Sequence, residues 1–335
     1  MGLFFLHLFL ELGIWVPRWS LNYGAERIVQ LCRRASIGNI FVQVYANGQP
    51  IYPSNILSVD HRFTKGGDPL ARIITLAHHY GIKIHAWFNV FYIWGYSPIP
   101  TDPNHPINGP WEVYDREGRS IKEYSPTILK RMGIEGYFVS PFNESYERVI
   151  HSLIMEVIEN YPIDGVHLDY IRYPSLSFGY DPWARTSFMR RYYVDPISYP
   201  EVEPLYRRLL IDGLTRFVWR ITRLVHRYGL VVSAAVKPDP LQARREYGQD
   251  WLEWLKTGSI DFVVLMSYTP NTEWILRTIR NLKPRDRLWI GIGAYLLDCS
   301  SLRTQIRRLR KEGYSNLVIF SFEDLIEKRC LLSSR

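Results

Sequence analysis

The chain has 335 residues, 47% hydrophobic and 22% charged, the balance of an ordinary globular protein long enough to bury a sizeable core. Its formal charge of +8 falls on helical patterns such as Arg207, Arg208, Arg216, Arg220, Arg223 and Arg227, or Arg303, Arg307, Arg308, Arg310 and Lys311. No reader motif accompanies that charge, so no nucleic-acid partner is expected. No run approaches the ~18 apolar residues of a membrane span, so stable membrane insertion is not expected either. Leu3–Leu10 is apolar but has neither a basic flank nor a small-residue cleavage site, so the chain reads as cytoplasmic or as secreted with an incomplete signal peptide. Cys32, Cys299 and Cys330, odd in number and without CxxC spacing, read as inert thiols rather than a disulfide framework or zinc site.

In chain order, strand-like runs alternate with helical patterns. Strands are expected over Leu10–Val16, Asn39–Tyr45, Lys83–Phe88, Gly165–Ile171, Leu230–Lys237, Asp261–Tyr268, Leu288–Ala294 and Asn316–Phe322. Helices are expected over Ala25–Ala35, Pro69–Tyr80, Glu144–Asn160, Leu205–Tyr228, Asp250–Lys256, Thr272–Leu282 and Ser301–Lys311, with a short one from Asp324. Asn143 and Ser300 stand where N-caps would, and Gly81, Gly229 and Gly313 stand where helices stop. Runs such as Val-Val-Ser-Ala-Ala-Val lack polar alternation, as parallel strands covered on both faces do. Repeated βα units of this kind predict a (β/α)8 TIM barrel, with residues 1–335 as a single domain. The surplus residues, Val90–Phe142 and Pro174–Pro204, fall in the loops after strands three and four, on the face where barrels keep their chemistry.

The densest chemistry lies in Asp164-Gly165-Val166-His167-Leu168-Asp169-Tyr170-Ile171-Arg172-Tyr173-Pro174. Alternation along a strand puts His167 and Asp169 on the face opposite Val166 and Leu168, hence into the barrel mouth. A carboxylate there is costly unless partnered or used, so the choice is between an Asp169–Arg172 brace and catalysis. Other strand ends add Trp15 and Arg18, Gln43 and Tyr45, Trp87 and Asn89, Lys237 and Asp239, Tyr268, Tyr295 and Glu323. With 11 Trp and 23 Tyr in the chain, rings, amides and carboxylates converging on one face suit a polyhydroxylated ligand. Trp15 and Trp87, with one of Trp94, Trp111 or Trp183, are the expected sugar-stacking rings.

That Asp164–Pro174 run, with Ala86-Trp87-Phe88-Asn89, Gln43-Val44-Tyr45, Tyr52-Pro53-Ser54 and Ile260-Asp261-Phe262 with Tyr268, resembles the bacterial glycosyl-hydrolase-like TIM-barrel family. Relatives in that family digest peptidoglycan glycan strands. The resemblance runs from about Gly13 to Phe322. More loosely, the run is similar to the strand-four segment of the α-amylase clan, whose Asp is the nucleophile. The resemblance implies Asp169 at that position, and Trp87, Asn89 and His167 at sugar-site positions. It departs at Leu265-Met266-Ser267-Tyr268, where Pro-Gln commonly precedes the Tyr. It departs again at Val236-Lys237-Pro238, where Ser-Pro is usual, which offers Lys237 to an acidic or acetamido-bearing sugar.

The function expected is hydrolysis of glycosidic bonds in an oligo- or polysaccharide, without cofactor or metal, by a pair of carboxylates. Asp169 is the nucleophile or base. Asp239 and Glu323 are favoured as the acid over Glu112, Asp115 and Glu144, because rigid strand ends hold geometry better than loops. A non-catalytic carbohydrate-binding barrel and a metal-dependent barrel hydrolase using His85, His167 and Asp169 remain as alternatives.

Overall fold

The computed structural model describes residues 11–64, 66–329 and 331. The apolar segment Leu3–Leu10 and Cys330 lie outside them. Eight parallel strands close on themselves: β1 (Leu12–Val16), β2 (Asn39–Ala46), β3 (Lys83–Asn89), β4 (Gly165–Asp169), β5 (Val231–Val236), β6 (Phe262–Met266), β7 (Leu288–Gly293) and β8 (Leu317–Phe320). Strand β1 bonds both β2, with Trp15 opposite Phe41, and β8, with Ile14 opposite Ile319, which completes the barrel.

The strands form because each is apolar on both faces. Outward residues such as Ile14, Val16, Val166 and Leu168 pack under the surrounding helices, while inward Trp15, Phe41, Trp87, Phe262, Val264 and Trp289 fill the barrel. The filling is tight: a Cβ on Gly291 would meet the Trp15 ring at 2.9 Å, so only glycine leaves room for that indole. Helices Glu144–Asn160 and Glu203–His226 flank the barrel, and Asn143 caps the first by accepting from Tyr146 N–H at 2.9 Å. Gly81, Gly229 and Gly313 take positive φ at helix ends. Helix Cys299–Lys311 begins earlier than expected, with Asp298 rather than Ser300 as its cap, because the longer carboxylate reaches Ser301 N–H at 2.7 Å. Cys299, read from sequence as an inert thiol, is disulfide-bonded. No described helix is long and apolar enough to cross a membrane.

The insertion after β3 folds back over the C-terminal mouth. Its Tyr92–Trp94 segment pairs antiparallel with Tyr137–Phe138. Gly136 lets the two segments touch, since a Cβ there would sit 2.2 Å from Trp94 O. The second insertion carries helix Pro182–Tyr192, capped by Asp181, which accepts from Ala184 N–H at 3.0 Å. Asp181 is wholly buried, and burial pushes its carboxyl up to about 7. An unfolded aspartate titrates near ~3.9, so the folded chain holds the proton more tightly, and stability falls as pH rises from about 4 to about 7. Asp181→Asn keeps a capping oxygen and removes that charge. The variant is expected to be more stable than wild type at pH 8 by roughly 1–2 kcal/mol, with the gap closing toward pH 5, as thermal unfolding at both values would record.

Candidate active site

A cavity of about 510 Å³ opens at the C-terminal ends of the strands. Of the expected site residues, Arg18, Gln43, Trp87, Asn89, Asp169, Arg172, Lys237 and Tyr268 line it. Asp169 ends β4 and is followed by Tyr170 with φ 49°, a left-handed conformation that is strained for a tyrosine. The turn aims the Tyr170 N–H back at Asp169 Oδ1 at 2.6 Å, while Trp87 Nε1–H donates to Oδ2 at 3.2 Å. Burial outweighs these donors and the nearby Arg172 charge, and pushes the Asp169 carboxyl up to about 6.

Arg172 does not brace Asp169. Its guanidinium, almost wholly buried among the rings of Tyr170, Tyr247 and Phe138, gives Nη2 to Glu135 Oε1 at 2.7 Å. Glu135 lies in the insertion just before Tyr137–Phe138, and its Oε2 is shielded and without a hydrogen-bond partner. Glu135 and Asp169 are the carboxylates among the residues lining the cavity. A relay of amides orients the wall beside Asp169, whose register partner is Asn89: Arg18 N–H donates to Gln43 Oε1 at 3.2 Å, and Gln43 Nε2 to Asn89 Oδ1 at 3.3 Å.

Several expected residues lie elsewhere. Trp15 is fully buried one layer below the cavity, its Nε1–H donating to His167 Nε2 at 3.2 Å. That leaves the His167 proton on Nδ1, facing Ser233 Oγ at 2.8 Å. Burial holds His167 well below the usual imidazole range and takes His85 down to about 4, so both are neutral interior rings. Tyr45 points outward, because a β-bulge between Gln43 and Tyr45 breaks the alternation; its hydroxyl meets that of Tyr146 at 3.3 Å inside the helical layer. Asp239 caps helix Pro240–Tyr247, accepting from Leu241 and Gln242 N–H, and so serves the backbone rather than the cavity. Glu323 falls in the first turn of helix Phe322–Lys328 and accepts from Ser20 and Ser321 hydroxyls. Tyr295, 54% exposed, stands behind Tyr268 at a ring separation of 6.3 Å, outside the lining. Of the loop tryptophans, Trp94 packs on His105, Trp111 on Tyr146, and Trp183 borders a separate groove beside Arg190 and Arg191.

Sequence reading places Trp19 just beyond strand one without carrying it into the candidate site, and does not select Asn47, Tyr92, Glu135, Tyr170, Met266 and Phe320; all of these line the cavity. Trp19, directly after Arg18 and 47% exposed, is the open ring there. Gly133 and Gly136 bracket Ile134-Glu135, and that pair was the available signal for a loop turning tightly enough to deliver a carboxylate.

The chain spans less than two thirds of the length of curated relatives it matches. It is 28% identical over 293 residues to the glycosyl hydrolase DigH of Escherichia coli K12, covering 78% of this chain and 63% of that protein. It is 22% identical over 299 residues to the glycosyl hydrolase YngK of Bacillus subtilis strain 168, covering 79% and 54%. Its fold is similar to the PgaB (BpsB) glycoside hydrolase domain of Bordetella bronchiseptica, with a TM-score of 0.74, 19% identity, and coverage of 97% and 99%. Residues 18–286, from the cleft arginine after β1 through the strands bearing Trp87 and Asp169 and past Tyr268 beyond β6, match one family throughout, and the chain belongs to the Glycosyl hydrolase-like 10 family.

Proposed function

We propose that this protein is a glycosidase that hydrolyses glycosidic bonds in an oligo- or polysaccharide, with Asp169 and Glu135 as its two carboxylates. The observation that carries this reading is the pairing of those two carboxylates in the lining of a cleft at the catalytic face of a barrel. Asp169 meets the anomeric carbon as an anion, attacking it or activating water. Two N–H donors fix both of its oxygens for that approach. Glu135 protonates the leaving oxygen, its carboxyl oriented by the Arg172 guanidinium at Oε1. Trp19 and Trp87, both in the cavity lining, supply ring surface for sugars. The insertion after β3 shares the barrel's hydrophobic core through Ile93, Ile107 and Val113, which supports treating the chain as one catalytic unit.

The test is release of new reducing ends from a panel of oligo- and polysaccharides by wild type but not by Asp169→Asn. A panel bound but left uncleaved by wild type would favour the non-catalytic binding barrel instead.

A further inference from the structure

The cleft holds more positive charge than this chemistry uses. Arg172 is matched by Glu135 at 2.7 Å, which leaves Arg18 and Lys237 facing the cavity. Both are half-buried, and burial pushes each below its ordinary pKa. Neither is ion-paired to a carboxylate among the described residues. Asp60, the acid acting on Arg18, is held through both oxygens by Arg62 at 2.8 and 2.7 Å. The Lys237 ammonium lies over the Tyr247 ring at 4.9 Å, and only its backbone N–H bonds Gln249.

Lys237 feels Glu135, Asp169 and Glu246 only at a distance, as Arg18 feels Asp60; partly desolvated cations without a direct ion-pair partner are costly, and a ligand that brings anions recovers that cost. The two stand at the ends of β1 and β5, opposite each other across an eight-stranded mouth, so a glycan crossing the cleft meets one on each side of Asp169. The negative charge of Asp169 in turn steers anionic groups away from the reacting centre and toward these flanks. We propose, building on the glycosidase reading above, that the cleft selects an acidic saccharide carrying carboxylate groups, with Arg18 and Lys237 as its anion-recognising residues.

The test uses Asp169→Asn, which binds without turning substrate over, and calorimetry with oligosaccharides alternating glucuronate and N-acetylglucosamine. Their carboxyl-reduced, neutral counterparts provide the same backbone without the charge. The acidic form is expected to bind ~10- to 100-fold tighter, the range of a charge-assisted hydrogen bond or two. Adding Arg18→Met and Lys237→Met is expected to bring the acidic-to-neutral ratio to within about 3-fold, and salt to weaken only the acidic ligand. Equal binding of both forms, binding of neither, or a preference that survives the paired substitutions overturns the inference. Hydrolysis is read separately. A wild type that cleaves no glycan overturns the glycosidase reading while the charge preference stands or falls on its own measurement.

Discussion

Asp169→Asn is expected to lower turnover by ~10³-fold or more without lowering the melting temperature. The substitution keeps the size of the side chain and an oxygen for the Tyr170 N–H, gives up the Trp87 bond at the second oxygen, and removes the charge that meets an oxocarbenium-like transition state. At ~1.4 kcal/mol per decade, such a loss corresponds to about 4 kcal/mol of barrier. Stability should move the other way. Burial raises the Asp169 carboxyl to about 6 in the folded chain, against ~3.9 unfolded, so folding favours the protonated form. Stability therefore falls as pH rises from about 4 to about 6, and the whole cost persists at neutral pH. Asparagine removes it. A variant that melted well below wild type at pH 7 while retaining activity would make Asp169 a structural group.

Glu135→Gln is expected to divide substrates by leaving group. Proton donation contributes ~10²- to 10⁴-fold, so cleavage of unactivated oligosaccharides should fall within that range. Aryl glycosides whose phenolate leaves unaided should lose less than about 10-fold. The substitution also removes the carboxylate facing Arg172, a guanidinium only 3% exposed, so the melting temperature should fall. Arg172→Met paired with Glu135→Gln should recover part of that stability and none of the activity. Equal losses on both substrate types would remove Glu135 from the proton-donor role.

Most of the barrel was legible in the sequence, because buried parallel strands have to be apolar on both faces and glycines have to end the helices between them. His167 and Asp169 were assigned to the interior by alternation alone, and that assignment agrees with Val166 and Leu168 packing under the helices. Alternation failed at Tyr45 because a bulge inserts an extra residue after Gln43, and no residue in Gln43-Val44-Tyr45 announces it. It could not report depth either: Trp15 points inward, as its position requires, but sits a layer too low to reach a ligand. Asp239 and Glu323 follow strands directly, yet each is drawn into a helix beginning at that point, Pro240–Tyr247 and Phe322–Lys328. The preference for rigid strand ends over loops favoured them over any loop carboxylate. Glu135 shows the limit of that preference, since the insertion carrying it is fixed by strand pairing, by the tight approach at Gly136 and by its bond to Arg172.

The pH dependence of kcat/KM on a cleaved oligosaccharide tests most directly whether Asp169 acts as the ionised carboxylate of this site. The raised carboxyl predicts a rate whose acid limb climbs with pH through an apparent pKa of about 6, on the way to the descending limb that loss of the general acid's proton imposes. Trp87→Phe removes the N–H that favours the anion at Oδ2, and should move that limb to higher pH. A profile that is flat between pH 5 and 7, or that falls through 6, would contradict an ionised Asp169 at the reacting carbon.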